Sequence, residues 1–321
     1  MINFRYHIVS LTAVFLALAV GVVLGAGPLQ NNIADGLNST LTQEVSDLRA
    51  DKSRLNGELA TSQRVRTATD EALGELLQGA VSARLSASQA TLVALPTAEA
   101  DVVAATSATL LAAGATVQRL DLSADWLADT TSERDTVFTQ VAGTLGLPAE
   151  SDRLRREYAV LGALAGTSTA ALAPTREQRR AGLARLAELD LISGDIETYQ
   201  SPTFVVTVVG MVPAAGTLSA DAAAASWAQL ASSLAHEGRG EILAGAVPEK
   251  VASVPGEPVS PVLTVRADSG QARVLSTVDN ADTALGQLNI VLGLVADARG
   301  DIGHFGVATG AQATLAPVGG S

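Results

Sequence analysis

Residues 8–27 read IVSLTAVFLALAVGVVLGAG, an apolar run with no charged side chain between Arg5 and Asp35. A helix needs about 20 consecutive apolar residues to cross the hydrocarbon core of a bilayer, and this run supplies them. Two other readings compete with a retained anchor. A cleaved signal peptide has an apolar core of about 7–15 residues, shorter than this one. Leu24 and Pro28 also spoil the small-residue pattern around Gly25, Ala26 and Gly27. A buried soluble helix this uniformly apolar needs a large core at a terminus, where chains fray. The run therefore predicts a single transmembrane anchor at 8–27 behind a short cytoplasmic stub, residues 1–7. Arg5 before it, with Asp35, Glu44 and Asp47 after it, predicts a cytoplasmic-membrane protein with its N-terminus inside and its bulk extracytoplasmic. The lipid bilayer is thus its first expected partner.

The rest of the 321 residues lacks a second such run. It is long enough for one large domain or two small ones. The chain is 47% hydrophobic but only 3% aromatic, so Ala, Val and Leu must fill the core. Its 21 basic and 33 acidic residues give a formal charge of −12, which argues against nucleic acid as a partner. There is no cysteine, which excludes disulfides, thiolate metal sites and cysteine nucleophiles together.

After a short polar exit, residues 28–36, a heptad seam runs from 38 to 80. Leu41, Val45, Leu48, Lys52, Leu55, Leu59, Ser62, Arg66, Thr69, Leu73, Leu76 and Ala80 alternate at spacings of four and three. The apolar members Leu41, Val45, Leu48, Leu55, Leu59, Leu73 and Leu76 form a candidate coiled-coil interface, and Glu44 and Arg49 stand where a parallel homodimer would pair them. The alternative is one amphipathic helix packed on its own domain. A coiled-coil stalk of this length would reach about 60 Å from the membrane.

From 90 to 305 the pattern alternates between strand and helix. Strands are expected at 91–95, 116–122, 203–209, 241–246, 262–265 and 273–277. Helices are expected at 101–113, 132–145, 152–165, 176–189, 219–236 and 282–298, with Ser219 or Asp221 capping the fifth. The first strand, helix and second strand make a βαβ unit, hence a parallel pair. The strand at 203–209, TFVVTVV, is apolar on both faces and suits a central position. The expected fold class is α/β, an open and mostly parallel sandwich with helices on both faces. Residues 248–261 read as a proline-rich loop, and the Gly- and Ala-rich residues 306–321 as a disordered tail.

No catalytic frame is found: no GxSxG elbow, no GxxxxGK[ST] loop, no GxGxxG turn. His236-Glu237 is followed by Gly238, Arg239 and Gly240, so a zinc-helix frame lacks its second histidine. The reading is of a protein that is not an enzyme. Ser276, Thr277, Asp279, Asn280 and Asp282 cluster between a strand and the last helix. They could contact a ligand or partner, or Asp279 or Asn280 could cap that helix. His304, within Gly303-His304-Phe305-Gly306, is either a ligand or pH-sensitive contact or a turn residue. Arg153, Arg155 and Arg156, with Arg176, Arg179 and Arg180, form two basic clusters that are either solvated helix faces or grips for an acidic partner.

The opening INFRYHIVSLTAVFLALAVGVVLGAGPL, the heptad stretch and STVDNADTALGQLNIVLGL resemble the actinobacterial MctB family, mycobacterial copper transport protein B. The resemblance runs from residue 2 to residue 306. The family includes SteB, the partner of SteA in corynebacterial cell separation. The resemblance implies one of two functions. One is an outer-membrane channel that lowers intracellular copper. The other is an inner-membrane-anchored coiled-coil protein that acts with a SteA-like membrane partner to control peptidoglycan cleavage.

Copper, as cofactor or cargo, enters only through the family name. Cu(I) prefers Cys and Met and Cu(II) prefers His. The chain offers two methionines, Met1 and Met211, and three widely spaced histidines, His7, His236 and His304. A barrel channel needs many alternating strands and aromatic girdles, and this chain has neither pattern. The leading expectation is a non-enzymatic, dimeric, anchored scaffold without a metal site; the alternative is a copper-transport component, with an outer-membrane location.

Overall fold

The computed structural model describes residues 4–26, 28–128, 130–167, 173–235, 240–248 and 256–318. The HEGR frame at 236–239, residues 168–172 of the segment joining the helices expected at 152–165 and 176–189, and the middle of the proline-rich loop lie outside them, as do residues 1–3 of the stub, 319–321 of the tail and the side chains of the polar exit. The chain divides into two compact units, Met1–Ala68 and Thr69–Ser321.

In the first unit the apolar run forms α1 (Phe4–Ala26). Its stretch Phe4–Gly25, 22 residues, is among the described residues the one helix long and apolar enough to cross a membrane. Val9, Leu11, Phe15, Leu16 and Leu18 all face outward, as a lipid-facing helix requires. The heptad stretch lies in α2 (Pro28–Val81), a helix of 54 residues. Leu41, Val45, Leu48, Leu55 and Leu59 are exposed along it.

The second unit begins with the last turns of α2. There the seam changes role: Leu73 and Leu77 are half-buried and Val81 fully buried, while Leu76 stays exposed. The Asp70 carboxylate accepts the backbone N–H of Ala284 at 2.8 Å. For these turns the packed-helix alternative is the one that holds.

Next come β1 (Gln89–Ala94), α3 (Ala100–Ala112), β2 (Thr116–Leu122), α4 (Ser132–Thr144), α5 (Arg153–Ala165), α6 (Arg176–Glu188), β3 (Ile192–Gly194), β4 (Phe204–Val209), α7 (Ala220–Leu234), β5 (Glu241–Gly245), α8 (Pro261–Ala267), β6 (Ser276–Val278), α9 (Ala284–Asp297) and β7 (His304–Phe305). The strands form one sheet in the order β3-β2-β1-β4-β5-β6-β7, parallel except for β3. It is open, with short edges at β3 and β7, and the expected α/β architecture is present.

Alternation along the strands divides the core in two. On one face Leu92, Val206, Val208, Ile242 and Ala244 pack under α3, α9 and the end of α2. On the other, Val93, Val205, Val209 and Leu243 pack under α4 to α8, around Trp126, Phe138, Leu161, Leu183 and Trp227. Both faces of β4 are buried, as TFVVTVV predicts. The helices α3, α7 and α8 sit on the faces that give their crossovers one common hand. The parallel β6–α9–β7 unit moves across the sheet in the same direction as β4–α7–β5 but places its helix on the opposite face. Its hand is therefore opposite to the rest, an arrangement rare among parallel crossovers.

Three expectations are corrected. Residues 262–265 are helical, not a strand: Ser260 caps α8 by accepting the N–H of Leu263, and Pro261 opens it. Residues 271–273 form a single 3-10 turn before β6. Residues 306–318 do not form a disordered tail. Ala308 and Ala316 are buried, Ala313 bridges Phe305, and Asn289 holds the segment by accepting from Ala316 N–H at 2.8 Å and donating to the Thr314 carbonyl at 2.9 Å.

Candidate functional site

A doubly wound sheet offers its ligand crevice where the strand order reverses, here between β1 and β4. That crevice is closed by backbone. Leu95 N–H donates to the Val208 carbonyl at 3.0 Å, and a Cβ placed on Gly210 would lie 2.0 Å from the Thr97 carbonyl oxygen. The polar residues of interest gather instead at the C-terminal ends of β5, β6 and β7.

Their centre is Arg266 of α8, which the sequence reading missed. The signal was Ser260-Pro261, a cap followed by a first-turn proline, which places Arg266 in the last turn of a helix. Its guanidinium is buried and each of its three nitrogens donates. Nε donates to Thr277 Oγ1 at 2.8 Å, Nη1 to Asp279 Oδ2 at 2.6 Å and the Thr309 carbonyl at 3.3 Å, and Nη2 to the Phe305 carbonyl at 2.9 Å. Burial pulls the Arg266 pKa down, and the bonded Asp279 carboxylate opposes that shift. Asp279 also accepts the N–H groups of Val307 at 2.8 Å and Ala308 at 3.0 Å. Gly306, at φ +130°, passes so close to this carboxylate that a Cβ would stand 2.2 Å from Oδ1.

His304 extends the chain of bonds. Its Nε2 lies 3.1 Å from the Ala272 carbonyl, which can only accept, so Nε2 carries the proton. Nδ1, 2.9 Å from Thr277 Oγ1, then accepts from the hydroxyl. Burial first, and the Arg266 cation second, lower the His304 pKa from its ordinary 6.5.

The structure thus brings Thr277, Asp279 and His304 together and joins Ser276 to a second cluster. Ser276 Oγ donates to Asp297 Oδ1 at 2.6 Å and accepts from Gly303 N–H at 3.1 Å. Asp297 also accepts the N–H of Gly240 and of Glu241, tying the starts of β5 and β6 to the end of α9. Asn280 is buried in a bridge to Ala246, with its Oδ1 unbonded, and Asp282 is exposed. The capping reading is corrected: Thr283 caps α9, accepting from Gly286 N–H at 3.0 Å. Asp279 and Asn280 lie too far upstream, and Asp279 is committed to Arg266 and to the Val307 and Ala308 amides.

The basic clusters divide. Arg155, Arg176 and Arg180 are exposed. Arg156 pairs with Asp135, and Arg179 is buried, donating to the Leu164 carbonyl and to Ser201 Oγ. These last two serve internal packing. Among the described residues no group of three or more His, Asp or Glu side chains is placed to hold a metal ion.

The polar cluster is a structural clasp in its chemistry: its donors and acceptors are spent on one another and on residues 303–309. Comparison with known proteins assigns the chain as a whole. The family model described as "Copper transport outer membrane protein, MctB" matches residues 1–316. A protein of Mycobacterium tuberculosis named Copper transporter MctB is 32% identical over 326 residues, covering 97% of this chain and 98% of that protein. The protein of that name in Mycobacterium leprae is 32% identical over 331 residues, covering 99% and 100%. With the match running from the N-terminal apolar helix through the last folded segment, this chain belongs to the MctB family.

Proposed function

We propose that this chain is a membrane-anchored component of copper transport across the cell envelope, and that it works by anchoring and positioning rather than by gripping the metal or by catalysis. The observation that carries the reading is the end-to-end match to relatives named as copper transporters. The α1 helix supplies the membrane attachment, with the N-terminus inside and the body outside the cytoplasmic membrane. The chain brings no cysteine and two methionines to a copper path, so the ion passes as cargo through an assembly to which this chain contributes structure.

A second reading is a scaffold, in which a coiled coil on α2 forms a homodimer or docks a SteA-like membrane partner in the control of peptidoglycan cleavage. The exposed stripe Leu41, Val45, Leu48, Leu55 and Leu59 favours it, because five large apolar side chains on one helix face call for a partner helix.

Removal of the chain from its host separates the two. Raised cell-associated copper and copper sensitivity, restored by the full chain, support transport. Unchanged copper with cells failing to separate transfers the function to the scaffold reading.

A further inference from the structure

Residues 304–316 are held to the sheet chiefly by side chains. The backbone contributes little: β7 is two residues long, and it pairs with β6 through Thr277 N–H to the Gly303 carbonyl at 3.0 Å and Asp279 N–H to the Phe305 carbonyl at 3.2 Å. Side chains add Arg266 on the Phe305 and Thr309 carbonyls, Asp279 on the Val307 and Ala308 amides and Asn289 on Thr314 and Ala316, while Phe305 and Ala316 pack into the apolar core. His304 stands at the head of this segment and shares one chain of bonds with its principal clamp, from Arg266 Nε–H to the Thr277 hydroxyl to Nδ1, with Nε2–H closing on Ala272.

We propose that residues 304–316 are an acid-released strap, opened when His304 takes a proton and closed when the imidazole is neutral.

A proton on His304 must go to Nδ1, since Nε2 already carries one. Thr277 Oγ1 then faces two donors, Arg266 Nε–H and His304 Nδ1–H, and its own hydrogen loses its acceptor in a buried site. The new imidazolium also stands beside the Arg266 cation. The groups facing His304 offer no relief. From α8 comes Arg266; from β6 the Thr277 hydroxyl and the Asp279 carboxylate; from residues 271–273 the Ala272 carbonyl, with Arg273 exposed; from the strap itself Gln312, whose Oε1 accepts the His304 N–H at 3.2 Å. Asp279, the one anion, is already bonded to Arg266 and to two amides. Burial and Arg266 resist the proton, so release occurs below the ordinary imidazole range. Release takes β7 away with the strap and bares the C-terminal end of β6, at the end of a parallel sheet where ligands bind.

The test is hydrogen exchange on the full chain in lipid nanodiscs at pH 7.5 and pH 5, corrected for intrinsic rates. The expected result is a loss of protection of about tenfold or more across 304–316, with β1 and β4 unchanged. His304→Gln, neutral at both pH values, should remove the difference. Protection that ignores pH in the native chain, or an equal pH response in His304→Gln, overturns the proposal. Should that variant fail to fold, an NMR titration of the native chain decides. Ala308 and Ala316 amides that move with the midpoint of the His304 ring support the strap, and a different midpoint overturns it.

Discussion

Glu241 is the residue whose chemistry least resembles that of a surface carboxylate. It is fully buried on the α7 side of β5, with the Thr207 hydroxyl donating to Oε1 at 3.0 Å and Oε2 unbonded. Burial, reinforced by the nearby Asp297 carboxylate, raises its pKa well above the ordinary 4.5. The unfolded chain releases this proton near pH 4.5 while the folded chain keeps it, so stability falls as pH rises from 4.5 toward the folded value. Glu241→Gln keeps the shape and removes the titration. The variant should match the native chain near pH 4 and exceed it at pH 8, each pH unit of the window being worth about 1.4 kcal/mol. Urea unfolding at several pH values measures this, and equal stability at pH 8 would show that Glu241 is ionised and compensated. Arg266 presents the reverse case, a buried cation each of whose three nitrogens donates a hydrogen bond. Arg266→Met leaves Asp279 buried beside two amides but without its counter-ion, and should cost about 3–5 kcal/mol. A loss under 1 kcal/mol would place the clasp's strength in the backbone instead.

Between elements, the closest approach that matters to the fold is at the strand-order reversal. Gly210 follows β4 and lies against Thr97 at the end of β1, and no rotamer change can move a backbone carbonyl out of the way of a Cβ. Gly210→Ala should therefore push β1 and β4 apart and destabilise the body by about 1–3 kcal/mol, readable as a lowered denaturation midpoint with an unchanged slope. The long elements were legible in the sequence because their periodicity is strong. TFVVTVV and the helices at 132–145 and 176–189 each fall within a residue of their observed bounds, and the apolar run at 8–27 ends within two residues of its helix but starts four residues late. The failures share a different cause. Residues 262–265, VLTV, hold three β-branched side chains and one leucine, which favours a strand locally, but Ser260 and Pro261 start a helix and the core accepts its Val262 and Val265 face. Strands β3 and β7, with 3 and 2 residues, are too short to show a period and exist only because neighbours pair with them. Residues 306–316 of the strap looked disordered because their glycines and alanines carry little information; their order comes from Arg266, Asp279 and Asn289, whose bonds to the strap span 25 or more positions. For the same reason STVDN and GHFG were visible as signatures while their meaning, a shared clasp with α8, was not.

At the scale of the molecule, the seam of α2 is the surface proposed for association, and burial narrows where along it a partner could sit. Its end is already engaged: Leu73 is half-buried within the body and Asp70 holds the first turn of α9. The apolar members left exposed from Leu41 to Leu59 span about five turns, interrupted once by Lys52, and beyond them Ser62 and Arg66 weaken the seam. If α1 anchors every copy at the same membrane surface, two copies would meet in parallel, with Glu44 of one facing Arg49 of the other. If this stretch is an interface between copies, Leu48→Lys or Leu55→Lys sets two like charges against each other at its centre and should convert a dimer to a monomer. The body's folding should not change, because neither residue belongs to its core. Light scattering of the full chain in detergent micelles reads the mass, and denaturation of the same sample reads the body. A native monomer would mean that the stripe awaits a different helix. A dimer untouched by either lysine would move association to another surface and leave the stripe without a role in it.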